Sequence, residues 1–167
     1  MEVANRKSVH LAHMEFIDLI DDLVEKIYKS DIKFDHIVGL SRGGIVPAGY
    51  ISYRLGNIPV TCLGGSVGYP LSQLHNLFHA NILVVDNIAT SGSTLAAVMA
   101  DFQELQRHGV LVGTVKFCTV FARDAAIDKI DFCARQVGND EQVVFPWQSG
   151  HTEGYTRVGR RHVEVAA

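Results

Sequence analysis

Residues 82–98 read ILVVDNIATSGSTLAAV, and no other stretch of the chain narrows its possible folds as much. Ile82–Val85 is a continuous apolar, largely β-branched run. Such a run fits a strand covered on both faces, as strands of parallel sheets are. Asp86 follows, then a short turn, then a helical pattern from about Gly92 to Arg107. A buried strand that feeds directly into a helix is the building unit of a parallel α/β sheet. The backbone N–H groups at a helix start have no intrahelical acceptor and sit at the positive end of the helix dipole. Here Thr90, Ser91, Ser93 and Thr94 add hydroxyl donors, and Gly92 lets a ligand come close to the backbone. The combination suits a phosphate group. Ordinary N-capping by serine or threonine is the plainer alternative. The segment is not a Walker loop, because it contains no Gly-Lys-Ser/Thr.

The rest of the chain repeats the same alternation. Residues 14–28, MEFIDLIDDLVEKIY, place apolar side chains at helical spacing and predict an amphipathic helix. His36–Leu40 reads as a buried strand and runs into Ser41-Arg42-Gly43-Gly44. A helix through about residue 55 follows and stops near Gly56-Asn57. Further strands are expected at Ile58–Leu63 and Val112–Phe121, with short ones at Gln142–Phe145 and His162–Val165. Residues 64–80, with their glycines and Pro70, predict a long loop. The expected fold is therefore α/β, with an open, mostly parallel sheet flanked by helices. Sheets of that kind bind ligands beyond the carboxyl ends of their strands. Three polar clusters fall there: Ser41–Gly44, Asp86–Thr94 and the segment after Phe121.

Composition excludes several function classes. With 47% hydrophobic and 20% charged residues in 167, a single globular domain is expected and disorder is not. A net charge of −3 gives no electrostatic basis for nonspecific binding to nucleic acid or to an anionic membrane. No apolar run is long enough for a membrane span, and the first ten residues lack a signal-peptide core. Cys62, Cys118 and Cys133 are scattered and odd in number, which fits a reduced, cytoplasmic protein.

Two of these segments together resemble the type I phosphoribosyltransferases. ILVVDNIATSGSTL is similar to that family's phosphoribosyl-pyrophosphate signature, and HIVGLSRGGIVPAGYISYRLG to its pyrophosphate-loop segment. Within the family the chain resembles most the bacterial xanthine-guanine and other 6-oxopurine enzymes, to which VKFCTVFAR and VVFPW are also similar. The resemblance covers about residues 33–150. It implies a single phosphoribosyltransferase domain over residues 1–167. The core would span about 14–135, with a small hood from the N-terminal residues and about 136–167. It further implies transfer of a phosphoribosyl group to a nucleobase, most closely guanine, xanthine or hypoxanthine, with release of pyrophosphate. The partners are then phosphoribosyl pyrophosphate, a nucleobase and Mg2+, in a homo-oligomer (a dimer or tetramer).

The same resemblance assigns roles. Asp86 would hold the ribose hydroxyls and serve as the metal-binding acid. Thr90, Ser91, Gly92, Ser93 and Thr94 would bind the 5-phosphate, with Thr90 and Arg42 counted beside Asp86 as catalytic. Ser41, Arg42, Gly43 and Gly44 would bind pyrophosphate, often around a strained or cis peptide; a tight strand-to-helix turn is the bland alternative. Arg123 stands where a lysine usually reads the 6-oxo group and N7; it could equally be a surface residue paired with Asp124 or Asp128. Val143 would contact the purine edge through its backbone, and Trp147 lies in the matching Phe-Pro-Trp stretch, as readily core as base pocket. The loop at 64–80 corresponds to a mobile lid.

The pattern also breaks. Asn87 occupies the second acid's place, Thr90 that of an aspartate beside N7, and Gln148 that of an acid expected near a second magnesium. The aromatic that stacks on the purine falls at Gln142. These losses keep two alternatives open: a noncatalytic regulator of the same fold that senses donor or nucleotide, and an enzyme for another base.

Overall fold

The computed structural model describes residues 7–64, 79–109 and 113–148. The first helix shows how the pattern becomes structure. Helix α1, His13–Lys29, buries Phe16, Leu19, Ile20, Leu23, Val24 and Ile27 along one stripe. At its start the Glu15 carboxylate accepts the Ala12 N–H at 2.8 Å, the reaching-back half of a capping box. Strand β1, Lys7–His10, precedes it. Then come β2 (His36–Leu40), α2 (Ile45–Arg54), β3 (Val60–Leu63), β4 (Ile82–Ala89), α3 (Ser93–Arg107), β5 (Val115–Arg123), β6 (Phe132–Val137) and β7 (Glu141–Val144). A 3-10 turn, Ile127–Lys129, joins β5 to β6.

Five strands form one sheet in the order β3-β2-β4-β5-β6, and every neighbouring pair is parallel. The expected α/β architecture is the observed one. Val38, Ile82 and Val84 share a buried cluster with Leu95, Val98 and Phe102 of α3. Helix α2 packs against β2, β3 and β4. The chain passes from β2 outward to β3, then crosses back to the other side of β2 for β4. That reversal opens a crevice between the carboxyl ends of β2 and β4, where such sheets take their ligands.

Several boundaries differ from the sequence expectation, and each difference has a cause. Strand β4 was expected to stop at Val85 but continues to Ala89, because β5 pairs along it through Asp86–Thr119, Ile88–Phe121 and Ala89–Ala122. Strand β5 correspondingly reaches Arg123. Strand β3 begins at Val60 rather than Ile58. Strands β1 and β6 were not expected: β1 is mostly exposed and exists as a parallel partner of β7, Lys7 opposite Glu141 through His10 opposite Val144. The strand expected at 142–145 appears one residue earlier, as β7. The strand expected at 162–165 and most of the loop at 64–80 lie outside the described residues.

The chain folds as two compact units, residues 19–139 and residues 1–18 with 140–167. The larger holds the five-stranded sheet. In the smaller, Leu11 N–H donates to the Val144 carbonyl at 3.0 Å, and Trp147 stacks on Phe145 while meeting Phe16 edge-on. Among the described residues no helix is long and apolar enough to cross a membrane. All three cysteines are free thiols.

One residue holds the β2–α2 turn against β4. A Cβ added at Gly44 would stand 2.2 Å from the Val85 carbonyl oxygen and 2.8 Å from both the N and O of Leu40. These are backbone atoms inside the sheet and cannot move aside, so Gly44→Ala should lower stability by about 2–3 kcal/mol, the upper range for overpacking. Urea denaturation checks this: an unchanged midpoint would refute the close approach.

Candidate active site

The two glycine-rich turns follow β2 and β4, the strands on either side of the switch point. After β2, Ser41 and Arg42 are exposed, Gly43 is half-buried and Gly44 is buried. The Ser41–Arg42 peptide is cis, as the resemblance implies for this turn. Ser41 N–H donates to the Leu63 carbonyl at 2.7 Å, and Gly44 N–H donates to the Leu40 carbonyl at 2.7 Å. Helix α2 starts immediately after, with Gly44 as its N-cap and no side chain capping it. The Ser41 and Gly44 amides are thus engaged within the protein, and the turn carries its one guanidinium on an exposed residue, Arg42. A Cβ at Gly64, just past β3, would lie 2.0 Å from the Ser41 hydroxyl oxygen, so that strand end also closes on the turn.

From the other side comes β4. Because it remains a strand, Asp86 and Asn87 point to opposite faces of the sheet. Asn87 is buried, and its side chain faces the neighbouring turn: a Cβ at Gly43 would meet its Oδ1 at 2.1 Å. Asp86 is half-buried on the other face. Its Oδ1 accepts the Asn87 N–H at 2.8 Å. Burial pushes the Asp86 carboxyl up to about 6, with the Asn87 N–H pulling weakly the other way.

Beyond Ala89 the chain turns into α3. Gly92 is the N-cap with φ +75°, a left-handed conformation that glycine adopts at no steric cost. Ser91 Oγ donates to Ser93 Oγ at 2.9 Å and accepts the Ser93 N–H at 3.3 Å. The hydroxyls of this turn are thus clustered at the helix start, as the sequence predicts. Lys129, which the sequence reading does not single out, reaches this turn and donates to the Ser91 carbonyl at 3.1 Å.

Arg123 ends β5 and is half-buried, and its Nη1 donates to the Asn139 carbonyl at 2.5 Å. Asp124 accepts from Gln136 Nε2 at 2.7 Å. The larger unit thus contains Ser41–Gly44, Asp86, Asn87, Thr90–Thr94 and Arg123, whereas Val143 and Trp147 belong to the smaller one. There, Gln148 closes its own turn, its Oε1 accepting the Phe145 N–H at 3.1 Å. Trp147 is part of the aromatic group with Phe145 and Phe16.

Among the described residues no three His, Cys, Asp or Glu side chains come together as a metal site. Asp86 is the single carboxylate of the Asp86–Thr94 segment. One carboxylate suits Mg2+, which keeps several waters and takes its other ligands from substrate phosphates. It does not suit an ion held by protein alone.

A parallel sheet with glycine-rich strand-to-helix turns after the two strands at its switch point has the architecture in which nucleotide- and phosphosugar-handling proteins place their ligands. The phosphoribosyl transferase domain model matches residues 10–153, and the chain belongs to that family. Its members include glycosyltransferase-type enzymes. Over 123 residues it is 28% identical to a xanthine-guanine phosphoribosyltransferase of Cereibacter sphaeroides, covering 66% of this chain and 67% of that protein. A purine phosphoribosyltransferase from Pyrococcus horikoshii has the same fold, with TM-score 0.70 and 22% identity over 84% of this chain and 94% of that one. A hypothetical protein from Neisseria gonorrhoeae with bound ppGpp also has it, with TM-score 0.72 and 21% identity over 94% of this chain and 98% of that one.

The raised Asp86 value has a thermodynamic consequence. The folded protein binds the Asp86 proton more tightly than the unfolded chain does, so this group's contribution to stability falls as pH rises from about 4 to about 6 and stays low above that. Asp86→Asn should therefore be more stable than wild type at pH 7.5, by up to roughly 2 kcal/mol after allowance for partial solvation, and the gain should vanish near pH 4. Denaturant titrations at both pH values check it; an equal difference at both would refute the buried carboxyl.

Proposed function

We propose that this protein transfers the 5-phosphoribosyl group from phosphoribosyl pyrophosphate to a nucleobase of the 6-oxopurine class, releasing pyrophosphate. The observation that carries the reading is the close approach of the β2–α2 turn to β4: the Gly43 backbone lies against Asn87, near the carboxyl end of the strand that also carries Asp86. Pyrophosphate and ribose subsites are then adjacent, as a donor joining both requires. The name of the Cereibacter relative supports the base class.

In this reading a ring nitrogen of the base forms the bond to ribose C1 while the C1–oxygen bond breaks and pyrophosphate leaves with the electron pair. The base's ring proton passes to solvent. The Arg42 guanidinium, the Ser41 hydroxyl and the amides of Arg42 and Gly43 bind the leaving group, where charge grows in the transition state. Asp86, ionised at neutral pH, accepts hydrogen bonds from the ribose hydroxyls. The amides and hydroxyls of Thr90–Thr94 fix the 5-phosphate, and so orient C1. Arg123 donates to the 6-oxo group and N7. Magnesium, held by Asp86 and the donor's own oxygens, would lower the charge of the pyrophosphate. We place the protein in the cytoplasm, as a homo-oligomer.

A second reading has its own support. Asn87 brings no charge where the family signature has an acid, and a protein of the same fold carries ppGpp. A noncatalytic regulator that binds donor or nucleotide would have these features.

Two measurements decide between them. Incubation with donor, Mg2+ and each nucleobase, read by mass, should yield a nucleotide from guanine, xanthine or hypoxanthine. Tight donor binding by calorimetry with no product from any base would leave the regulator. In the enzyme, Arg42→Ala should lower the rate by 100-fold or more, about 3 kcal/mol of lost transition-state stabilisation. Undiminished turnover in a folded Arg42→Ala protein would remove Arg42 from the pyrophosphate site.

A further inference from the structure

The 5-phosphate turn has no cation of its own, since residues 86–98 contain neither lysine nor arginine. One arrives from the next connection along the sheet. Lys129 closes the 3-10 turn after β5. Its Nζ donates to the Ser91 carbonyl at 3.1 Å, and its stem crosses Gly92 so closely that a Cβ there would stand 2.7 Å from Lys129 Cδ and 3.2 Å from Nζ. Gly92 thus serves two needs, a left-handed backbone and room for this side chain.

The backbone that carries Lys129 is fixed. Ala126 is fully buried, its N–H donates to the Arg123 carbonyl at 2.9 Å, and Lys129 N–H donates to the Ala126 carbonyl at 2.9 Å. Two residues on, Asp131 N–H donates to the Phe117 carbonyl at 3.0 Å, and the Asp131 carboxylate accepts from Phe117 N–H at 2.8 Å and Lys116 Nζ at 2.7 Å. Lys129 itself is exposed. Among the described residues no carboxylate pairs with it; its partner is a neutral carbonyl. An ammonium gains far more from a phosphomonoester, which carries about −1.5 to −2 charges and three strong acceptor oxygens at pH 7.

We propose that Lys129 is the charge-supplying residue of the 5-phosphate site: on binding, its ammonium leaves the Ser91 carbonyl and pairs with the terminal phosphate. The site then selects a phosphomonoester over an uncharged sugar, and does so with a residue outside the signature segment. This rests on the reading of Thr90–Thr94 as the phosphate cradle.

The test is calorimetry on the full chain with two probes, ribose 5-phosphate and magnesium pyrophosphate. Lys129→Gln should weaken ribose 5-phosphate tenfold or more, lessen the salt dependence of its binding, and leave pyrophosphate within twofold of wild type. Lys129→Arg should restore most of the loss. Thr94→Asp, which puts an anion into the cradle, should abolish ribose 5-phosphate binding. If Thr94→Asp abolishes it while Lys129→Gln stays within twofold of wild type, the role of Lys129 is refuted and the cradle stands. Equal weakening of both probes by Lys129→Gln would also refute it, as a general structural effect. Ribose 5-phosphate binding that is absent in wild type, or indifferent to Thr94→Asp, would overturn the cradle and the Lys129 proposal together.

Discussion

Everything at the crevice depends on how closely the β2–α2 turn approaches β4. Gly44 leaves no space for a β-carbon between itself and the Val85 carbonyl. Gly43, beside it, lies on the Asn87 amide. Two glycines in succession thus let a helix start sit within a side chain's reach of a neighbouring strand, with no side chain between. A larger residue at either would push the β2–α2 turn away from β4. The apolar sheet below supplies the rigidity, since Val38, Val84 and Val85 are essentially inaccessible to solvent.

Much of this is legible in the amino-acid sequence alone. Apolar, non-alternating runs at 36–40 and 82–85 forecast parallel strands, and Ser41–Gly44 and Asp86–Thr94 stand out as polar clusters at their ends. What is not legible depends on pairing between distant segments. The residues 86–89 carry no strong strand pattern of their own; hydrogen bonding to β5 keeps them extended. The run KSVH is too polar to announce β1 and becomes a strand only beside β7. Lys129 lies 38 residues from the carbonyl it reaches, and a single lysine in a turn gives no periodic signal. The available clue is topological: connections after adjacent parallel strands emerge at the same edge.

The extension of β4 also recasts the departure at Asn87. Had the chain turned after Val85, Asp86 and Asn87 could have faced one ligand together. In a strand they serve opposite faces: Asp86 stays with the half-solvated side, and Asn87 is turned to Gly43. A buried amide there can satisfy itself with local hydrogen bonds, whereas a buried carboxylate would demand a compensating cation. The exchange of acid for amide is thus first a change in how β4 packs against the β2–α2 turn.

The pairing of β1 with β7 has a consequence in time. Residues 7–10 leave the ribosome early, but their strand partner, residues 141–144, is made after all five strands of the main sheet. During synthesis the nascent chain can assemble the parallel sheet while β1 has nothing to pair with. The smaller unit is therefore a late addition, and its aromatic group forms only once Phe145 and Trp147 have been made to join Phe16. A growing chain that stalls before residue 141 would hold the five-stranded sheet with the small sheet still missing, since residues 7–10 become a strand only beside residues 141–144.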